Sequence, residues 1–101
     1  LLIQKNKVTV FFLRRVVGAS MEPSLYEKDL VFAVRKKPKV GDIVIANVND
    51  REVVKRVTKI GSPALYTLLG DNEQASTDSR SFGAVPYSSL IGVVIKTFKA
   101  K

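Results

Sequence analysis

Short apolar runs, each ended by a turn signal, constrain this chain more than any other feature. They are Val8–Val17, Leu30–Val34, Asp42–Val48, Glu52–Ile60, Leu65–Leu69 and Leu90–Phe98, rich in valine, isoleucine, leucine and phenylalanine. Between and beside them stand Gly18, Pro38, Gly41, Asn49-Asp50, Gly61-Ser62-Pro63, Gly70-Asp71-Asn72 and Pro86. Runs of this length with this punctuation are strands, not helices. Their close spacing predicts a compact all-β domain with no internal boundary across residues 1–101. The Asn49-Asp50 pair predicts a hairpin joining Asp42–Val48 to Glu52–Ile60. Only Pro23 to Lys28 reads as a short helical turn. An apolar content of 46% in 101 residues suffices for one modest core.

What the chain lacks narrows its chemistry. It has no cysteine and no histidine. A disulfide framework, a thiolate nucleophile and a Ser-His triad are excluded, and the commonest metal ligand is missing. No cofactor and no metal are expected. Acid–base chemistry near neutral pH then falls to a carboxylate or to a lysine shifted by its surroundings.

The net charge of +8 lies in short runs at Arg14-Arg15, Arg35 to Lys39 and Lys96 to Lys101. They carry no helical recognition pattern and no stacking aromatics, so nucleic acid is not expected as a partner. A basic surface near an anionic membrane accounts for the charge. No run reaches the roughly 20 apolar residues that span a bilayer, and the chain starts at Leu1.

Lys55 is the candidate base. In a strand of period two, Val53, Lys55 and Val57 share one face, while Val54, Arg56, Thr58 and Ile60 share the other. If that first face is buried, desolvation disfavours the ammonium and a neutral amine becomes available to deprotonate a hydroxyl. If the strand lies at an edge, the same lysine keeps its head in water. A hydroxyl stands at Ser20, between small residues and Met21-Glu22-Pro23. The loop from Gly70 to Arg80 adds further hydroxyls, and a carboxylate and an arginine two residues apart. A plain solvated turn has similar composition.

Together these segments resemble the type I signal peptidase family, serine proteases that use a Ser-Lys dyad. The resemblance rests on Ser20-Met21-Glu22-Pro23-Ser24-Leu25, Gly41-Asp42-Ile43-Val44, Val54-Lys55-Arg56-Val57, and Gly70-Asp71-Asn72 leading to Ser76-Thr77-Asp78-Ser79-Arg80. These boxes occur in the family's order, and the resemblance covers residues 17–95. The resemblance implies that Ser20 is the acyl-forming nucleophile and Lys55 its general base. It implies that Ser76 holds the lysine and that Asp78 and Arg80 pair to fix the loop. Signal peptides of preproteins would lie as an added strand between Arg15–Ala19 and Glu52–Val54. Arg15, Val17, Gly18, Ala19, Met21, Val53 and Val54 are the expected substrate contacts, with small residues preferred at the first and third positions before the cut.

The short interval between the lysine box and Gly70-Asp71-Asn72 implies a minimal catalytic core without the β domain inserted in larger members. Many members carry a serine two residues before the nucleophile, where its hydroxyl supports the oxyanion. Gly18 occupies that place, so Gly18→Ser is expected to maintain or raise the rate. The resemblance also implies a catalytic domain at a membrane surface, on the extracytoplasmic side. Met21 and one of Phe11 and Phe12 are then expected to be exposed for membrane contact. Rival readings are a LexA-like self-cleaving domain, a short soluble member that matures a cytoplasmic precursor, and a non-enzymatic basic β module. The sequence leaves the oligomeric state open.

Overall fold

The computed structural model describes residues 10–75 and 79–100. Among these, seven strands form one antiparallel sheet: β1 (Phe11–Arg15), β2 (Leu30–Val34), β3 (Ile43–Val48), β4 (Arg51–Gly61), β5 (Leu65–Leu69), β6 (Val85–Pro86) and β7 (Leu90–Phe98). Their order across the sheet is β1-β2-β7-β3-β4-β5-β6. The all-β class read from the sequence is correct. No helix among the described residues is long and apolar enough to cross a membrane.

Three expected strands coincide with β2, β5 and β7, and two others shift by a residue at one or both ends. The first is shorter: Val8 and Thr9 lie outside the described residues, and β1 ends at Arg15. Val16 leaves the strand but keeps its backbone paired, donating to Asp29 O at 2.7 Å and accepting from Lys28 N at 2.8 Å. The expected helical turn at Pro23–Lys28 begins earlier and does not continue. Leu25 N–H bonds Met21 O at 2.9 Å, and Lys28 takes a φ of 78° that a helix does not permit.

β6 and the four-residue helix α1 (Ser79–Phe82) escaped the sequence reading. A two-residue strand containing proline shows no periodicity, and it sits at the sheet edge, where a missing N–H is tolerated. The hairpin between β3 and β4 forms as expected. Val48 pairs with Arg51, while Asn49 and Asp50 adopt φ of 52° and 62°. Positive φ at both central residues matches a turn twisted like its flanking strands.

Alternate residues of the central strands feed two apolar layers. Val44 and Ala46 of β3, Val57 of β4, Leu68 of β5 and Val93 of β7 pack in one layer, with Tyr66 and Val85. Ile45 joins Val16, Met21, Leu25, Val31 and Ala33 in the other, with Phe12, Val54 and Val94 packed against it. Gly92 allows the second layer to close. A Cβ there would lie 3.2 Å from Ala33 Cβ, 3.2 Å from Val34 O and 3.3 Å from Phe12 Cδ2.

Lys55 belongs to the first layer. It stands between Val53 and Val57, pairs across the ladder with Val44, and is only 3% exposed. The choice left open by the sequence is settled in favour of burial.

Candidate active site

Sheet curvature makes the site. β2, β7 and β3 separate β1 from β4 in the sheet, yet Arg14 of β1 bonds Glu52 of β4 at 2.6 Å. The sheet therefore coils until the end of β1 faces the start of β4. A cavity of about 310 Å³ fills the gap, lined by Arg14 to Val17, Ser20, Met21, Ile45 and Glu52 to Lys55. A neighbouring cavity of about 450 Å³ shares Val17, Ser20, Glu52, Val53 and Lys55 with it and continues along Gly18, Ala19, Val48 and Phe82. Ser20 and Lys55 thus sit where the two cavities meet. The expected substrate contacts Arg15, Val17, Gly18, Ala19, Met21, Val53 and Val54 all line one or the other.

The loop bearing Ser20 is held on several sides. Met21, 1% exposed, anchors it in the second apolar layer, where burial of a side chain this size contributes about 2 kcal/mol. The expectation that Met21 is exposed for membrane contact is therefore incorrect: packing against Val16, Leu25 and Ile45 removes it from water. Of the adjacent phenylalanines, Phe11 is 57% exposed while Phe12 packs inward, as strand alternation requires. Asn72 clamps the loop from the opposite side. Its N–H donates to Ser20 O at 2.9 Å and its Nδ2 to Ala19 O at 3.1 Å.

A second clamp lies behind the first. The Arg56 guanidinium meets Asp71 in a two-pronged pair, Nε to Oδ1 at 2.9 Å and Nη2 to Oδ2 at 2.8 Å. Ser24 donates its hydroxyl to Asp71 Oδ2 at 2.6 Å, and Arg56 Nη1 donates to Gly41 O at 2.8 Å. The Arg56 hydrogen bonds, followed by that from Ser24, hold the Asp71 carboxyl below the usual carboxylate range against the opposing effect of burial. One carboxylate thereby ties together the Ser20 loop, the turn at Gly41, the Lys55 strand and the loop leading to Asn72. Ser24, Arg56, Asp71 and Asn72 lie within the motifs of the sequence, which by themselves assign them no role. The only signal in the sequence was parity: Arg56 must face away from its neighbour Lys55.

The loop's exit is fastened by Asp29, which is 2% exposed. It accepts from Tyr26 N at 2.9 Å, Ala100 N at 2.8 Å and Lys99 Nζ at 2.9 Å. Those bonds, the Tyr26 N–H first, bring its pKa down to about 2. Lys99 Nζ also donates to Ser24 O at 2.6 Å, so the end of the chain braces the segment after Ser20.

Ser76 and Asp78 lie outside the described residues. Arg80 lies within reach of Glu73, Nη1 to Oε1 at 3.3 Å. Gly18 takes a φ of +84° with nothing within 4 Å of an added Cβ. A serine there has space but must adopt left-handed backbone that L-residues disfavour, which alters the expectation for Gly18→Ser.

Comparison of the sequence with known proteins points to a class of peptidase. The family model described as Peptidase S24-like matches residues 2–95. Signal peptidase IB of Staphylococcus aureus is 26% identical over 112 residues, covering 91% of this chain and 59% of the relative. Mitochondrial inner membrane protease subunit 1 of Homo sapiens is 32% identical over 102 residues, covering 74% of this chain and 61% of that protein. The chain thus spans about three fifths of the length of these curated relatives. It belongs to the signal peptidase family, among the S24-like peptidases.

Proposed function

We propose that this chain is a serine endopeptidase that removes N-terminal signal peptides from preproteins, with Ser20 as nucleophile and Lys55 as general base. One observation carries the reading: Lys55, only 3% exposed among valines, lines the same groove as Ser20. Burial favours the neutral amine, the form that accepts a proton.

In the proposed reaction Ser20 Oγ attacks the scissile carbonyl carbon while its proton passes to Lys55 Nζ. The tetrahedral intermediate collapses as the peptide amine leaves with that proton, giving an acyl-enzyme. Water then attacks the ester, Lys55 takes its proton, and return of that proton to Ser20 Oγ releases the signal peptide. The Ser20 N–H is the expected donor to the oxyanion, and the Asn72 bonds to the carbonyls of Ala19 and Ser20 hold its peptide plane in place. Ser76 is proposed to hold the lysine, and Asp78 with Arg80 to steady the loop that carries it. The substrate would add as an extended strand between residues 15–19 and 52–54, a geometry that the unpaired gap between β1 and β4 accommodates.

A membrane-surface location on the extracytoplasmic side fits this reading. With Met21 buried, exposed apolar residues on β1 and beside Ser20 are available for contact, among them Val17 at 83% exposure, Phe11 at 57% and Leu13 at 52%. The test of the dyad is cleavage of a preprotein-derived peptide with Ala at the first and third positions before the cut. Ser20→Ala should abolish turnover while its circular dichroism matches that of the unmodified chain. Appreciable turnover by that folded variant overturns the assignment.

A further inference from the structure

The outer end of the groove is closed by a charge pair that the proposed chemistry does not use. Arg14 Nε donates to Glu52 Oε1 at 2.6 Å and Arg14 Nη2 to Glu52 Oε2 at 3.2 Å. The two side chains come from opposite walls, β1 and β4, which are not ladder partners. Both line the cavity that holds Ser20 and Lys55. Their exposures, 39% and 42%, leave the pair open to solvent and to exchange of partners.

The halves of the pair are not equivalent. Arg14 is also held on its own strand, where Nη1 donates to Leu13 O at 3.0 Å and the guanidinium carbon lies 5.7 Å from the Phe12 ring centre. Those contacts hold the guanidinium independently of Glu52. Arg15 lines the same cavity and Arg51 its neighbour, making the surroundings basic. Glu52 stands three residues before Lys55 on β4, about 10 Å along an extended strand. A peptide running parallel to β4 with its scissile carbonyl at Ser20 would pass the pair with the fourth or fifth residue before its scissile bond.

Resting on the proposed peptidase reading, we infer that Arg14 is a specificity-determining residue that reads an acidic side chain at the fourth or fifth position before the cut. Glu52 is its internal stand-in, occupying the carboxylate site until substrate replaces it. A bidentate arginine is suited to this exchange, because one carboxylate replaces another in the same two-pronged geometry.

The experiment uses fluorescent peptides with Ala at the first and third positions before the cut and Glu, Gln or Lys at the fourth or the fifth. Binding is read by anisotropy on the Ser20→Ala protein, and cleavage on the unmodified chain. Glu peptides are expected to bind about two- to fivefold more tightly than Gln peptides, the range of an exposed ion pair. Lys peptides should bind more weakly than Gln, and high salt should narrow the order. Arg14→Gln should erase the order. Glu52→Gln should tighten binding of every Glu and Gln peptide while preserving their order. Equal affinities across the series, a preference for Lys, or an order that survives Arg14→Gln overturns the inference. If cleavage depends on Ser20 but the order is flat, this inference alone fails. If no peptide is bound or cut, the peptidase reading fails and takes the inference with it.

Discussion

Asp71→Asn removes one charge from the clamp behind Ser20 while keeping the side chain's shape. Three hydrogen bonds converge on the carboxylate, two from Arg56 and one from Ser24, at 2.6 to 2.9 Å. The Arg56 and Asp71 side chains are 31% and 18% exposed. Fully exposed pairs contribute up to about 1 kcal/mol, whereas losing one partner of a buried pair costs roughly 3 to 5 kcal/mol. Partial exposure places this loss between them, at about 2 kcal/mol. For a chain of this size the melting temperature should fall by roughly 8 to 16 °C. Urea titration at pH 7 in physiological salt measures the free energy directly, and a double-mutant cycle with Arg56→Gln isolates the pair. The sign with pH follows from the depressed carboxyl. Its contribution is full above the unfolded value, near 4, and is lost as pH falls through the lower folded value. The gap between the unmodified chain and Asp71→Asn should therefore narrow in acid. A loss below about 0.5 kcal/mol at pH 7, the scatter of ordinary surface substitutions, or a gap that stays constant in acid would refute the reasoning.

Lys55→Met should preserve the fold, since a thioether suits the buried site between Val53 and Val57, yet should remove turnover. In the unmodified chain the rate should rise with pH to a midpoint well below the roughly 10.4 of a free lysine; an ascending limb near pH 4 alone would assign the base to a carboxylate. Gly18→Ser should lower stability by about 1 kcal/mol, the cost of a side chain at left-handed φ, without raising turnover; a faster, equally stable variant would show that the loop relaxes. Asp29, with its pKa down at about 2, stabilises the fold fully above about pH 4, and that contribution is lost as pH falls toward 2. Melting temperatures followed from pH 5 to 2 should drop steeply for the unmodified chain and more gently for Asp29→Asn.

The sequence alone determined those features that depend on neighbours along the chain. Alternation and turn residues placed β2, β5 and β7 residue for residue and located the β3–β4 hairpin, because side-chain direction in a strand reverses at every step. The same parity put Lys55 with Val53 and Val57 and set Arg56 apart from it. The boxes at Ser20, Gly41, Lys55 and Gly70 marked the segments that the fold assembles. Parity, however, cannot say which face of a strand is covered. Lys55 became a buried amine, and Met21 a core residue, only when the sheet coiled and enclosed the first apolar layer around one and the second around the other. Arg56, Asp71 and Ser24 are separated by 15 and 32 residues or more, yet share one carboxylate. Arg14 and Glu52, 38 residues apart, meet only because the ends of a curved sheet face one another. No window along the chain contains such pairs: curvature is a property of the assembled ladder, and it alone decided which charges and hydroxyls share the groove.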